Sequence, residues 1–305
     1  MAMVTAEFAR AISRQIFQPA FRVAADTKHW NWEPLASIKK SDAALEQVFG
    51  YTGIGAAVAT DELAPFYYGR FAELPTTQWI HTKYTLGGMV SQELIEDNKN
   101  LPDIVGQLGT MIGEGHSYIR DYTVAQWFNN AFSTGGAAYH LYDGAHLCDS
   151  HTLQKSGGSV TNYLTAASMS FDNLWLAINF FEYSMFTHEG LPMTDTPKYL
   201  LYHPSQNKVV RKILETDKGE PDTADNNKNT LTSYNIVPVP CRFLTTTYWF
   251  LVSAKFKDDL VFYDRISKEV KEDADFDRDA VKIRSRLRFS VKFKDWMHAV
   301  GNAGA

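Results

Sequence analysis

The sequence predicts an α+β fold, and three observations carry the prediction. Residues 101–133 read as one long helical pattern. Residues 281–293 read as one long two-faced strand. No internal repeat links the two in the alternating order of a parallel α/β chain. The 305 residues allow one large domain or two ordinary ones. With 45% hydrophobic and 21% charged residues, disorder is excluded as the dominant state. A formal net charge of −5 argues against a surface that grips phosphate throughout, but leaves room for a local basic face. Two cysteines, Cys148 and Cys241, cannot build a disulfide framework and fit a reducing compartment. Glu7 and Arg10 interrupt any signal-peptide run, and no stretch approaches the roughly 20 apolar residues of a membrane span. Secreted and membrane classes drop out.

The elements follow in order. Val4, Phe8, Ile12 and Ile16 recur every four residues, so residues 1–22 predict an amphipathic helix, packed on the body or reaching a neighbour. Residues 26–34 form a loop anchored by Trp30 and Trp32. A short helix is predicted over 41–49, with Ser41 as its N-cap. Residues 56–90 predict two strands, 62–72 and 77–86, split at Glu73-Leu74-Pro75. Neither strand has a clean apolar face, so the hairpin needs something else to lie against.

The long helix has Asn100 as a candidate cap, with Pro102 and Asp103 in its first turn. Gly106, Gly109, Gly113 and Gly115 interrupt it, each costing about 1 kcal/mol relative to Ala. Either the helix breaks near Gly113 or these small residues admit a close backbone neighbour along one side. Beyond it, residues 137–165 are turns and short strands. A helix spans 171–187 behind Ser170 as N-cap, a strand covers 198–202, and a helix follows Ser205. The stretch 216–230 is a polar surface loop. Strands are predicted near 234–239, 246–252 and 259–264, with Pro238 and Pro240 marking the first as an edge. In the last strand apolar residues alternate with Lys282, Arg284, Arg286, Arg288, Lys292 and Lys294. Upstream, residues 269–279 form an acidic run, read as a solvated turn or as a partner for basic groups on another chain.

Candidate chemistry is sparse. His146, Cys148, Asp149 and His151 are zinc-ligand types, but their spacing matches no strong zinc signature. Cys148 as a nucleophile with a histidine base has only residue type in its favour. No phosphate loop, HExxH or GxSxG occurs, and residues 269–279 lack the Gly and terminal Glu of an EF-hand loop. The cationic face of 282–294 lacks the interleaved aromatics of a single-strand nucleic-acid binder. It reads as a solvated face or one that meets an acidic neighbour.

Several phrases, in fixed order, resemble a known family. They are DELAPFYYGRFAEL, WIHTKYTLGGMVSQELIEDN, YDGAHLCDSH, TNYLTAASMSFDNLWLAINFF, PKYLLYHPSQNKVVRKIL and TYWFLVSAK. The chain resembles tailed-phage major capsid proteins of the Hong Kong 97 fold, particularly the Mu-like major head subunits. The resemblance implies a long spine helix, an extended β-hairpin loop, and peripheral and axial domains. The implied divisions are an N-terminal arm (1–55), the extended loop (56–90), a peripheral domain with the spine helix (91–139), an axial domain (140–252) and a peripheral return (253–305). The loop would lie over an adjacent subunit, with Tyr67, Arg70, Glu73, Trp79, Lys83, Arg284, Arg286 and Arg288 as candidate intersubunit contacts. A shell of hexamers and pentamers, icosahedral or prolate, would enclose double-stranded DNA and assemble in the host cytoplasm. Some relatives carry a cleaved N-terminal scaffolding segment. Here residues 1–55 precede the hairpin and Met1 is present, which implies a separate scaffolding protein, beside a portal and a cementing protein. No catalytic residue, cofactor or metal is implied. An encapsulin-type compartment is the close alternative, and a metal-dependent enzyme centred on 146–151 the alternative from another class.

Overall fold

The computed structural model describes residues 13–97, 101–133, 136–216 and 229–304. The helices are α1 (Gln18–Ala25), α2 (Gln92–Asp97), α3 (Leu101–Asn129), α4 (Phe171–Asn179) and α5 (Asn207–Glu215). The strands are β1 (Ser37–Lys40), β2 (Leu45–Val48), β3 (Thr77–Ile80), β4 (Thr82–Ser91), β5 (Ser150–Thr152), β6 (Ser159–Thr161) and β7 (Tyr163–Leu164). They continue with β8 (Pro197–Tyr202), β9 (Val237–Pro240), β10 (Trp249–Ser253), β11 (Leu260–Asp275), β12 (Ala280–Phe293) and β13 (Ala299–Asn302).

One sheet has the order β1-β11-β12-β4. Its centre is the predicted long strand: Val281, Ile283, Leu287, Phe289, Val291 and Phe293 are buried while Lys282, Arg284, Arg286 and Arg288 point the other way. Period-two alternation sends successive side chains to opposite faces, so one strand serves a core and a charged surface at once. The long helix α3 lies on the buried side, and α1 packs along it. Phe17, Phe21, Val105, Ile112, Val281 and Ile283 form a small core there. The helix runs unbroken through its four glycines. The close-approach reading holds at two of them. A Cβ at Gly109 would stand 2.7 Å from the Phe17 carbonyl oxygen, and one at Gly113 would stand 2.6 Å from that of Phe21.

The second sheet has the order β7-β13-β10-β8-β9 and anchors the main core. Strand β10 is buried at every position, and β9, with its two prolines, sits at the edge. Ser170 caps α4 by accepting from the Asn173 amide at 3.2 Å. Trp30 and Trp32 are buried, both donating to Asp121 of α3, at 3.1 and 2.7 Å.

Several expectations are corrected by the structure. Residues 45–48 are strand β2, not part of a helix over 41–49. Ser41 caps nothing; its hydroxyl lies between Glu46 and His81. Residues 62–72 form no strand: their backbone joins no ladder, and Phe66, Tyr67 and Tyr68 stand exposed. The hairpin is built by β2 on β3, with Leu45 opposite Ile80 and Val48 opposite Thr77, so it is rooted earlier than residue 56. Residues 82–91 are β4 and belong to the four-stranded sheet, where Arg284 pairs with Gly87. His203, not Ser205, caps the turn before α5, its Nδ1 accepting from the Ser205 amide at 3.1 Å. Residues 269–275 of the acidic run are the end of β11 and pair with β12, and only 276–279 form a turn between the two strands. Asn100, Val4, Phe8 and Ile12 lie outside the described residues, as does most of the 216–230 loop.

Candidate assembly surfaces

The hairpin narrows to an open loop. The Thr52 amide donates to the Ala72 carbonyl at 2.8 Å and the Leu74 amide to that of Gly50 at 2.9 Å. Beyond them, residues 53–71 carry no strand pairing. Leu63, Tyr68 and Phe66 are 101%, 85% and 81% exposed, and Ile54, Val58, Tyr67 and Phe71 are exposed too. Contiguous apolar exposure on this scale marks a surface meant for contact.

The base of the loop is clamped to the body. The Lys155 ammonium donates to the carbonyls of Gly53, Ile54 and Arg70 at 2.9, 3.0 and 2.7 Å. The Glu189 carboxylate accepts from the Gly53 amide. Three carbonyls on one ammonium tie the outgoing and returning chains together, so the loop leaves the body at a set angle. Nothing in residue order points to this role for Lys155.

The outer face of the four-stranded sheet is the second surface. Lys83 and Arg284 are exposed, and Arg286 and Arg288 are half-buried. Arg286 Nε lies 2.5 Å from Glu269 Oε2, and Lys271 Nζ lies 3.2 Å from Glu269 Oε1. The Arg286 hydrogen bond in particular holds the Glu269 carboxyl below its usual range. Lys282 pairs with Asp275 in the same way. Two members of the acidic run, Glu269 and Asp275, therefore pair with cations of their own strand partner. Arg288 Nε reaches the His81 carbonyl at 3.4 Å.

The other predicted contact residues divide. Tyr67, Arg70 and Glu73 lie exposed on the loop. Trp79 does not belong with them. It is fully buried, edge-on to Tyr263 at 5.3 Å, with its indole N–H donating to Thr77 Oγ1 at 2.9 Å. It faces inward because β3 packs over the end of the sheet.

The 146–151 segment is committed to packing. The His151 ring stacks on Trp296 at 4.4 Å, Nδ1 lies 2.7 Å from Asp143 Oδ2, and Nε2 lies 3.2 Å from the Leu147 carbonyl. Cys148 is buried, and burial raises its thiol pKa well above the ordinary value, the opposite of an activated nucleophile. Among the described residues, no group of three or more His, Cys, Asp or Glu is arranged to hold a metal ion.

A family model described as phage capsid protein matches residues 76–302, most of the chain. The chain belongs to the phage capsid protein family. The match begins inside the returning leg of the hairpin and ends in β13, so it spans both sheets and the long helix. Solved structures agree on the fold. The capsid of an empty GTA particle superposes with a TM-score of 0.57 at 12% identity, covering 90% of this chain and 89% of that one. The capsid of the cyanophage P-SCSP1u gives 0.58 at 9% identity, with 91% and 89% covered. The capsid of the Helicobacter pylori bacteriophage KHP30 gives 0.54 at 9% identity, with 88% and 86% covered. No curated protein matches significantly in sequence. The fold is that of Hong Kong 97-like capsids, and the chain is a major capsid shell protein.

Proposed function

We propose that this capsid protein self-assembles through hexamers and pentamers into a closed shell, icosahedral or prolate, around phage double-stranded DNA in the host cytoplasm. The observation that carries the reading is the exposed apolar loop 53–71 on a hairpin clamped by Lys155. Burying such side chains on a neighbour yields about 25 cal/mol per Å² of apolar surface, repeated at every subunit of the shell. The four-stranded sheet with α1 and α3 supports the role of a peripheral domain. The five-stranded sheet with the segments around it supports that of an axial domain, and β11 with β12 that of the peripheral return, whereas β13, expected in that return at 253–305, lies in the five-stranded sheet. The order of the matching phrases supports a place among Mu-like head subunits. A separate scaffolding protein, a portal and a cementing protein complete the assembly, and the subunit works mechanically, without catalysis or cofactor.

The test replaces residues 55–70 by a short Gly-Ser linker. The variant should fold with the parent's circular dichroism and fail to form particles by sedimentation and electron microscopy. Normal particles from it would overturn the reading of the loop as an intersubunit element. Nucleic acid in the parent particles, with no enzyme cargo, separates this shell from a cargo compartment.

A further inference from the structure

The hairpin meets the four-stranded sheet at one buried imidazole. His81 stands between β3, which pairs with β2 in the hairpin, and β4, which pairs with β12 in the sheet. It is 4% exposed. Its Nδ1 lies 3.0 Å from Ser290 Oγ of β12, and its Nε2 lies 3.0 Å from Ser41 Oγ, in the segment that joins β1 to β2. The Ser41 hydroxyl donates to Glu46 Oε1 of β2 at 2.5 Å. A hydroxyl has one hydrogen to give, so Ser41 must accept from His81 Nε2–H. Nδ1 is then the acceptor of the neutral ring, and the Ser290 hydroxyl donates to it. The hydrogen-bond network thus assigns the tautomer. Its bonds run in one direction, from the sheet through the imidazole to the hairpin.

We propose that neutral His81 is the positioning residue of the hairpin: bonded at both ring nitrogens, it fixes how the hairpin stands on the sheet, and protonation of the ring releases it. The groups that face the ring set the direction. Glu46 of β2 favours a positive charge there, Arg265 of β11 and Arg288 of β12 oppose one, and the Tyr263 ring of β11 lies edge-on at 6.5 Å. Burial is the largest influence, and with the two arginines it holds the His81 pKa below its ordinary 6.5. A released ring therefore takes up a proton more readily than a latched one, and the latch weakens as pH falls below 6.5. Protonation also puts a hydrogen on Nδ1, so the Ser290 hydroxyl must turn its own away. Opening of the hairpin root is a local event and costs less than unfolding the sheet. The proposal rests on the shell reading above and adds a control on the hairpin that carries it.

The test is hydrogen–deuterium exchange of the unassembled full chain at pH 7 and pH 5, corrected for intrinsic rates, in the parent, His81→Gln and His81→Leu. A glutamine amide offers one donor and one acceptor and does not titrate, whereas leucine offers neither. In the parent, segments 41–48 and 77–84 should lose protection several-fold at pH 5 relative to the fully buried strand β10. His81→Gln should protect them alike at both pH values. His81→Leu should be as open there at pH 7 as the parent is at pH 5. Particle yield by sedimentation should follow the same order. Parent segments that keep their protection relative to β10, or a glutamine variant that opens with acid as the parent does, overturn the proposal. So does a leucine variant that assembles at parental yield at pH 7, because the position of the hairpin would then not matter to assembly. Should the leucine variant not fold, the comparison of parent and glutamine variant decides alone. Exchange is read on the free subunit, so its failure leaves the loop-replacement result, and with it the shell reading, standing.

Discussion

Replacing Gly113 by alanine should destabilise the subunit, against the usual rule for helices. In an exposed helix interior, Gly→Ala gains about 1 kcal/mol. At Gly113 the new Cβ would stand 2.6 Å from the Phe21 carbonyl oxygen, 2.7 Å from Ala24 Cβ and 2.9 Å from the Ala25 amide nitrogen. Two of these obstacles are backbone and cannot rotate away, so α1 must move off α3. The movement loosens Phe17 and Phe21, which are essentially fully buried. Overpacking of this kind costs about 1–3 kcal/mol. With two backbones in contact the upper part of that range applies, and the net loss is about 1–2 kcal/mol. For a chain of this size that corresponds to a fall in Tm of about 2–6 °C. Gly106→Ala is the control. Its Cβ would meet only Ile16 Cγ2 at an ordinary 3.7 Å, so it should gain about 0.5–1 kcal/mol. Far-ultraviolet circular dichroism of the unassembled subunit during heating reads both. If Gly113→Ala raises Tm as much as Gly106→Ala, the close-packing account of Gly109 and Gly113 is refuted.

Two histidines, His298 half-buried and His116 buried, give opposite pH dependences. Burial lowers the His298 pKa, but Asp259 at 2.6 Å, with Asp195 and Asp295 nearby, raises it overall above 6.5. Its stabilisation is complete below pH 6.5 and lost as pH rises through the folded value. Melting temperature should therefore fall on the alkaline side, and His298→Gln should flatten that limb; parallel curves would contradict the pairing. His116 is pushed down to about 4, chiefly by burial and then by Arg120. The unfolded chain takes up a proton below pH 6.5 and the folded chain does not, so stability is lost as pH falls from 6.5 towards 4. Denaturant midpoints at pH 7 and pH 5 should differ less in His116→Gln than in the parent. Lys155→Met removes the three-carbonyl clamp, so trypsin should cut after Arg70 several-fold faster; an unchanged rate would mean that the clamp does not hold the loop.

The legible parts of the fold were those with one strong period and one strong cap. Residues 281–293 declare a two-faced strand through alternation alone, and Ser170 marks the start of α4. Other elements depend on distant partners. Leu45 and Val48 fit a helical spacing as well as a strand, and only β3, some thirty residues on, decides between them. Strand β13, Ala299–Asn302, lies inside the five-stranded sheet with all four residues buried, yet its small residues carry no periodic signal. Gly301 is explained only by contact, since a Cβ there would stand 2.5 Å from Cys148 Sγ. The extension of β11 had a missed signal: Glu269 and Asp275 precede Arg286 and Lys282 at the spacing of an antiparallel pair, where opposite charges stabilise. Exposure was partly legible, since Tyr67, Arg70, Glu73, Lys83 and Arg284 do face outward. Trp79 was not, because aromatic residues suit an interface and a core equally well.

The central claim is that this chain builds a closed shell. Electron microscopy of the purified full-length protein, read together with its sedimentation profile, tests that most directly. The account predicts particles with nucleic acid inside. A protein that stayed monomeric across salt and pH, with residues 53–71 folded against its own body, would contradict it.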